Sequence, residues 1–300
     1  MSPDGNRRMD ALGYGSELFP LPDGAYALLR DLIVEHTGVL FDAPKRRLLA
    51  DKLSELVTAN GLTSFLDYYY LLRYDDKADT HWSALMNRLA VPETFFWRQA
   101  EQIAALADII APAHFAATVH KPLRIWSAAA CTGDEAISIA IALSEAGLLD
   151  ERRIQIVATD GSEEMIARAR RGVYGERSFR QLPEALKQKY FEPEGTLWRP
   201  VERIRRHIRW DIANLVRPAE TAPLANADVI FCRNVFIYFS DAAIRSTIQA
   251  FAQEMPDDGY LFLGAAESLT RLNVELELAE IGKAFAYVKR GKRSHPRGDR

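Results

Sequence analysis

Cysteine is almost missing from this chain: 300 residues hold two, Cys131 and Cys232, far apart in sequence. That excludes a disulfide framework and any C-x-x-C metal or redox motif, and suits two reduced, buried thiols. Long apolar runs are missing as well. None approaches the roughly eighteen residues that span a bilayer, and the opening stretch MSPDGNRRMDALGYG has no apolar centre of the kind a signal peptide needs. A soluble, cytoplasmic protein without membrane insertion is expected. Charge of one sign is not in surplus: 38 Lys and Arg face 41 Asp and Glu, a net of −3. This is too balanced for a surface given over to nucleic acid or anionic lipid. What is present is a 48% apolar composition, enough for a sizeable core, over a length that suggests two domains.

Residues 1–20 carry no sustained period and read as a mobile leader. Residues 21–91 read as a helical domain. Leu28, Leu29, Leu32 and Ile33 share one helix face, and Leu48, Leu49, Leu53, Leu56 and Val57 share that of a second helix opened by Pro44. Thr37-Gly38 ends the first and Gly61 the second. Thr63 or Ser64 can cap a third through Tyr70, and a fourth runs from about Lys77 to Leu89. Residues 92–122 form a linker with a helix from about Gln99 to Thr118. Over 123–290, apolar runs (LRIWSAAAC, IQIVATD, ADVIFC, YLFLGAA) alternate with helical stretches, the pattern of β-α-β units around a mostly parallel sheet. AFAYVKR follows YLFLGAA with only a weak helical signal between them and reads as an antiparallel addition. Between residues 165 and 210, twelve Lys or Arg face five Glu, a local excess of seven, and Ile204, Ile208 and Trp210 share one strand parity. Residues 291–300 read as a solvated basic tail.

Four constellations carry chemistry. The first strand passes through Cys131-Thr132-Gly133-Asp134-Glu135 into a helix, with one glycine only, which is no pyrophosphate cradle; Asp134 and Glu135 there would repel phosphate and suit a cation. Asp160 ends the second strand, where dinucleotide folds place the acid that holds a ribose diol. Together these point to S-adenosylmethionine over a nicotinamide. Each has a plainer alternative, in acids serving the helix dipole or an Asp serving as a helix cap. In FCRNVFIYF, an apolar strand breaks into Arg233-Asn234 and Tyr238; a buried arginine there needs a partner, although a left-handed turn at Asn234 is also open. Asn214-Leu215 could contact adenine. In PETFFWR, Thr94 and Arg98 bracket Phe95, Phe96 and Trp97, more aromatics than one helix face buries, so part of this segment lines a seam or cleft.

With those residues in view, the chain resembles the CheR-type chemotaxis receptor methyltransferases from about Tyr26 to Lys289. The resemblance rests on Thr-Gly-Val with Lys-Arg-Arg between Thr37 and Arg47, on Glu-Thr-x-Phe-x-Arg at Glu93–Arg98, and on WSAAACTGDE, VATD, IANL and IFCRNVFIYF in family order. It implies an α/β fold, with a small all-α N-terminal domain followed by a Rossmann-like class I S-adenosylmethionine-dependent methyltransferase domain. It further implies O-methylation of glutamates on the cytoplasmic domain of chemoreceptors (methyl-accepting chemotaxis proteins), with S-adenosyl-L-homocysteine as product. Thr94, Arg98, Glu135, Asp160, Asn214, Leu215, Arg233 and Asn234 would bind the cofactor, and Arg98 and Tyr238 would act as catalytic residues near the methyl. Lys45, Arg46, Arg47 and Lys52 would face an acidic receptor helix. The family's receptor-tail docking insertion would fall between Tyr190 and Trp210, where the chain is short. The sequence departs from the family pattern at Pro92, at Ala136-Ile137 and at Gly161. The departures at Pro92 and at Ala136-Ile137 motivate a competing reading as a non-catalytic S-adenosylmethionine-binding adaptor. The local basic excess motivates a nucleic-acid methyltransferase, against which stands Cys-Arg-Asn-Val in place of an Asn-Pro-Pro-Tyr pocket motif.

Overall fold

The first helix, α1 (Asp23–Thr37), buries Tyr26, Leu29, Leu32 and Ile33 and stops where Gly38 turns left-handed at φ 76. A Cβ on Gly38 would lie 2.6 Å from the Phe239 ring and 2.9 Å from Val216, so both conformation and space demand glycine there. These coordinates come from a computed structural model that describes residues 21–118, 121–272 and 274–289; the leader at 1–20 and the tail at 291–300 lie outside the described residues. After a single turn at Ala43–Lys45 come α2 (Arg46–Ala59), α3 (Phe65–Tyr74) and α4 (Ala78–Leu89). The Ser64 hydroxyl caps α3 by accepting from the Asp67 N–H, and the helix runs a turn past Tyr70. The four helices enclose one core of Leu49, Leu53, Val57, Phe65, Tyr68, Trp82 and Leu85. Leu28 and Leu48, expected on buried faces, are instead 42% and 48% exposed. Leu28 sits at the margin of the stripe set by Ala25, Leu29, Leu32 and Ile33, and Leu48 lines a cavity described below.

The expected linker helix is present over residues 100–117, but interrupted: α5 (Ala100–Ala105), a π-turn at Leu106–Ile110, then α6 (Ala111–Ala117). Pro112 accounts for the interruption, because it donates no hydrogen bond and its ring crowds the carbonyl four residues back.

The sheet is built from β1 (Leu123–Ala128), β2 (Ile154–Asp160), β5 (Ile208–Ile212), β6 (Val229–Cys232), β7 (Tyr260–Phe262), β8 (Glu277–Ile281) and β9 (Ala284–Val288), in the spatial order β5-β2-β1-β6-β7-β9-β8. A separate hairpin joins β3 (Phe191–Glu194) and β4 (Leu197–Pro200). The crossovers carry α7 (Asp134–Glu145), α8 (Glu163–Arg171), α9 (Glu184–Tyr190), α10 (Glu202–Arg205), α11 (Pro218–Ala225) and α12 (Asp241–Glu254). The five strands from β5 to β7 run parallel, and β9 pairs antiparallel to β7 as expected. Because β1 lies between β2 and β6, the connections leave its two sides in opposite directions and open a crevice at the carboxyl ends, where ligands bind in such sheets.

Three readings need correction. The weak helical signal before AFAYVKR is β8, an edge strand antiparallel to β9. Ile204 belongs to α10, so only Ile208 and Trp210 share a strand. The basic excess between 165 and 210 is largely paired within the fold. Arg199 pairs with Glu194, Arg205 with Glu202, Lys187 with Glu176, Lys189 with Glu145 and Arg206 with Glu151, while Arg170 and Arg203 donate to backbone carbonyls.

Candidate functional site

A cavity of about 250 Å³ opens at the carboxyl ends of β1, β2 and β6, and the helical domain supplies much of its wall through Val39, Leu48, Lys52, Met86 and Leu89. Its floor is a tight turn after β1. Ala129 (φ 58) and Cys131 (φ 51) are left-handed although neither is glycine, a conformation that costs energy and is held by the surrounding packing. Asn234 after β6 (φ 59), and Trp97 (φ 66) and Gln99 (φ 53) on either side of Arg98, share that conformation. Among the described residues, five of the six non-glycine residues of this kind therefore sit around one site, with Asp258 the exception.

Asp160 holds the turn. Its Oδ2 accepts from the Cys131 N–H at 2.9 Å and its Oδ1 from the Ser162 N–H at 2.9 Å, leaving each oxygen a second lone pair. Burial pushes its carboxyl above the usual range, opposed by those backbone donors. Glu135, at the start of α7, accepts from the Ser127 hydroxyl at 2.6 Å and from Arg233 Nε at 2.6 Å. The partner that a buried Arg233 requires is thus Glu135; Arg233 also donates to the Arg98 carbonyl and to Gln102 Oε1. Thr94, Arg98, Glu135, Asp160, Leu215, Arg233, Asn234 and Tyr238 all line the cavity. Asn214 does not: its amide donates to the His36 carbonyl at 2.7 Å and ties β5's outgoing loop to the end of α1.

The aromatic run divides as its excess implied. Phe96 is fully buried against Tyr174, Phe179 and Phe191. Phe95 stays near the surface under the Arg180 and Arg98 guanidiniums, 3.6 and 5.3 Å from its centroid. Arg98 is half-buried, donates to the Glu93 carbonyl, and has its pKa lowered by burial and then by Arg233.

The basic cluster splits up. Arg46 is bound to Asp23 and to the Leu21 carbonyl and lies over Tyr26. Lys45 and Lys52 line the cavity, Lys52 donating to the Arg88 carbonyl, with burial lowering its pKa. Only Arg47 remains on the exposed surface with no ion pair among the described residues.

Two domains meet at this site through backbone and side chain alike. Leu40 N–H donates to the Tyr238 carbonyl, Ser240 N–H donates to the Gly38 carbonyl, and Asn87 Oδ1 accepts from the Ser162 hydroxyl and the Glu164 N–H. Met86 Cε lies 2.3 Å from where a Cβ on Gly161 would be, so the departure at Gly161 makes room for a helical-domain side chain. Pro92, Ala136 and Ile137 do not line the cavity, and the latter two are core residues.

One residue escaped the sequence reading. Glu267 Oε2 accepts from the Asn234 and Gly264 N–H groups, and Oε1 from those of Phe236 and Ile237, so one carboxylate shapes the loop that carries Arg233, Asn234 and Tyr238. The only available signal was an acid closing the small-residue run after YLFLGAA.

Asp134 is buried, with its pKa pushed up to about 6 by burial, and its Oδ1 has no partner among the described residues. Since the folded value is raised above the ordinary one, its contribution to stability is complete below about pH 4 and is lost as pH rises through about 6. Asp134→Asn is expected to flatten the stability profile across that window, read as thermal midpoint between pH 4 and 7.5.

A mostly parallel sheet with a single-glycine turn, a helix-start acid and a second-strand Asp, and with no glycine-rich phosphate cradle among the described residues, is the arrangement of a methyltransferase that uses S-adenosylmethionine. The comparisons agree. The profile described as "CheR methyltransferase, SAM binding domain" matches residues 92–285, and that described as "CheR methyltransferase, all-alpha domain" matches residues 24–90. The chain belongs to the CheR methyltransferase family. It is 30% identical over 275 residues to the chemotaxis protein methyltransferase 2 of Vibrio cholerae, covering 90% of this chain and 94% of that protein. It is 30% identical over 262 residues to the chemotaxis protein methyltransferase of Salmonella typhimurium, covering 86% and 88%. A probable biofilm formation methyltransferase, WspC, of Pseudomonas putida is 29% identical over 87% of this chain and 61% of its own length. No helix among the described residues is long and apolar enough to cross a membrane.

Proposed function

We propose that this protein transfers the methyl group of S-adenosylmethionine to glutamate carboxylates on the cytoplasmic domain of a chemoreceptor, as an adaptation step in chemotaxis. The observation that carries it is the position of Arg98, which lines the cofactor cavity from the linker as the exposed Tyr238 lines it from the loop after β6. The chemotaxis methyltransferases among its relatives support the receptor as substrate. A glutamate of pKa about 4.3 is already ionised at neutral pH, so no general base is required. The bound cofactor supplies an electrophilic methyl on a sulfonium. The remaining task for the protein is to hold an oxygen about 3 to 3.5 Å from that carbon and in line with the sulfur. Arg98 and Tyr238 orient the carboxylate by hydrogen bonds; Asp160 takes the ribose diol; Thr94, Glu135, Arg233, Asn234 and Leu215 complete the cofactor site, and Asn214 supports it from behind through His36. The adaptor reading loses its motive, because Pro92, Ala136 and Ile137 stand outside the cavity.

Transfer of labelled methyl to chemoreceptor cytoplasmic fragments tests the proposal. A base-labile product marks a carboxyl ester, whereas a base-stable product or no transfer would overturn it. Asp160→Ala should weaken cofactor binding by about 1 to 3 kcal/mol through lost hydrogen bonds, measured by calorimetry; an unchanged affinity would remove Asp160 from the ribose site.

A further inference from the structure

Beside the cofactor cavity lies a second, open cleft, lined by Phe95, Trp97, Gln99, Gln181, Ala265 and Ala266, and two residues, Arg98 and Asn234, belong to both. The two spaces therefore meet at Arg98 and Asn234. Resting on the methyl-transfer reading above, we propose that this cleft is the acceptor channel, in which an acidic, glutamate-bearing segment of the protein substrate lies while its carboxylate reaches Arg98.

Charge gives the cleft a direction. Arg98 stands where the cleft meets the cofactor cavity, and Arg180, stacked over the Phe95 wall, is joined to Arg177 through Glu93 and through the Arg177 carbonyl. Glu101, the acid in the lining, is shared with a further depression that includes Ile281 and Lys283, which places it at the outer end. An anionic side chain is thus drawn inward and repelled at the rim. The walls suit a peptide. Ala265 and Ala266 are exposed and small, which leaves width for a chain segment, and Trp97 presents an aromatic face. This approach differs from one across α2, where Arg46 is already committed to Asp23.

Two measurements on the full chain decide the matter. In the first, Ala266→Phe, which fills the cleft without touching the cofactor cavity, is compared with Ala266→Ser for methyl transfer to a receptor fragment. The channel requires the KM of Ala266→Phe to rise tenfold or more, with S-adenosylhomocysteine affinity within twofold of the parent and Ala266→Ser near normal. An unchanged KM in a folded Ala266→Phe overturns it, and a large rise on Arg47→Glu in that case places the approach on α2. In the second, a fluorescein-labelled, glutamate-containing peptide from a chemoreceptor cytoplasmic helix is titrated against the protein saturated with S-adenosylhomocysteine, which needs no turnover. Binding abolished by Ala266→Phe supports the channel even if no methyl is transferred, in which case the methyl-transfer reading alone fails. Binding unaffected by that variant, or absent from the parent protein, overturns the channel.

Discussion

Arg98→Ala is expected to lower turnover about a hundredfold at saturating S-adenosylmethionine, the size of loss that misplacement near reacting atoms produces. Arg98 sits where cavity and cleft join, donates one hydrogen bond to the Glu93 carbonyl, and is only half-buried, so donors remain for a carboxylate. Because its side chain is no part of a core cluster, the variant should fold with an unchanged melting temperature. Arg98→Lys should recover little, since an ammonium cannot present two parallel donors to a carboxylate. The comparison must be made at cofactor saturation, because Arg98 also lines the cofactor cavity. Near-normal turnover there would return Arg98 to a structural role in the linker.

The second large effect is on stability. Arg233→Met should destabilise the protein by about 3 to 5 kcal/mol, the loss seen when one member of a buried ion pair is removed and the other stays charged. The Arg233 side chain is 2% exposed and that of Glu135 11%, and the same guanidinium holds the Arg98 carbonyl and Gln102, whose amide in turn donates to the Leu263 carbonyl. One side chain therefore joins β6, α7, the linker and the strand end after β7. Urea unfolding measures the loss, and Glu135→Gln combined with Arg233→Met should be less damaging than the sum of the single changes, because the double variant leaves no unpaired charge. A fully additive pair would show that the two groups do not depend on each other.

The helical domain, the parallel sheet and the strand-end acids were legible in the sequence because each follows from a local period or from the residue type that must end a strand. Asp160 and Glu135 fall where β2 ends and α7 begins, and these boundaries can be read without tertiary knowledge. What was not legible depended on distant partners. The four cations at 45, 46, 47 and 52 look alike in sequence, yet Asp23 and the Leu21 carbonyl take Arg46 and the cavity wall takes two others. Glu267 is one acid among 41 Asp and Glu until four backbone N–H groups converge on it. Asn214 looks like a ligand-facing polar residue until the end of α1 arrives to accept its amide. In β8, Leu278 is 55% exposed and Ala279 and Ile281 are only partly buried, so there was no fully buried stripe to detect.

The cavity wall that Met86, Leu89 and Lys52 share with Asp160 and Cys131 has a thermodynamic corollary. Cofactor affinity and the docking of the two folding units are linked quantities: whatever factor docking adds to cofactor affinity, the cofactor returns to the docking equilibrium. Amide protons in α4 and in the Gly38–Leu40 bridge should thus exchange more slowly once the cavity is filled, although most of them touch nothing in it. The helical unit acts as a reporter of cofactor occupancy, and any partner that grips it shifts the hold on the cofactor by an equal free energy.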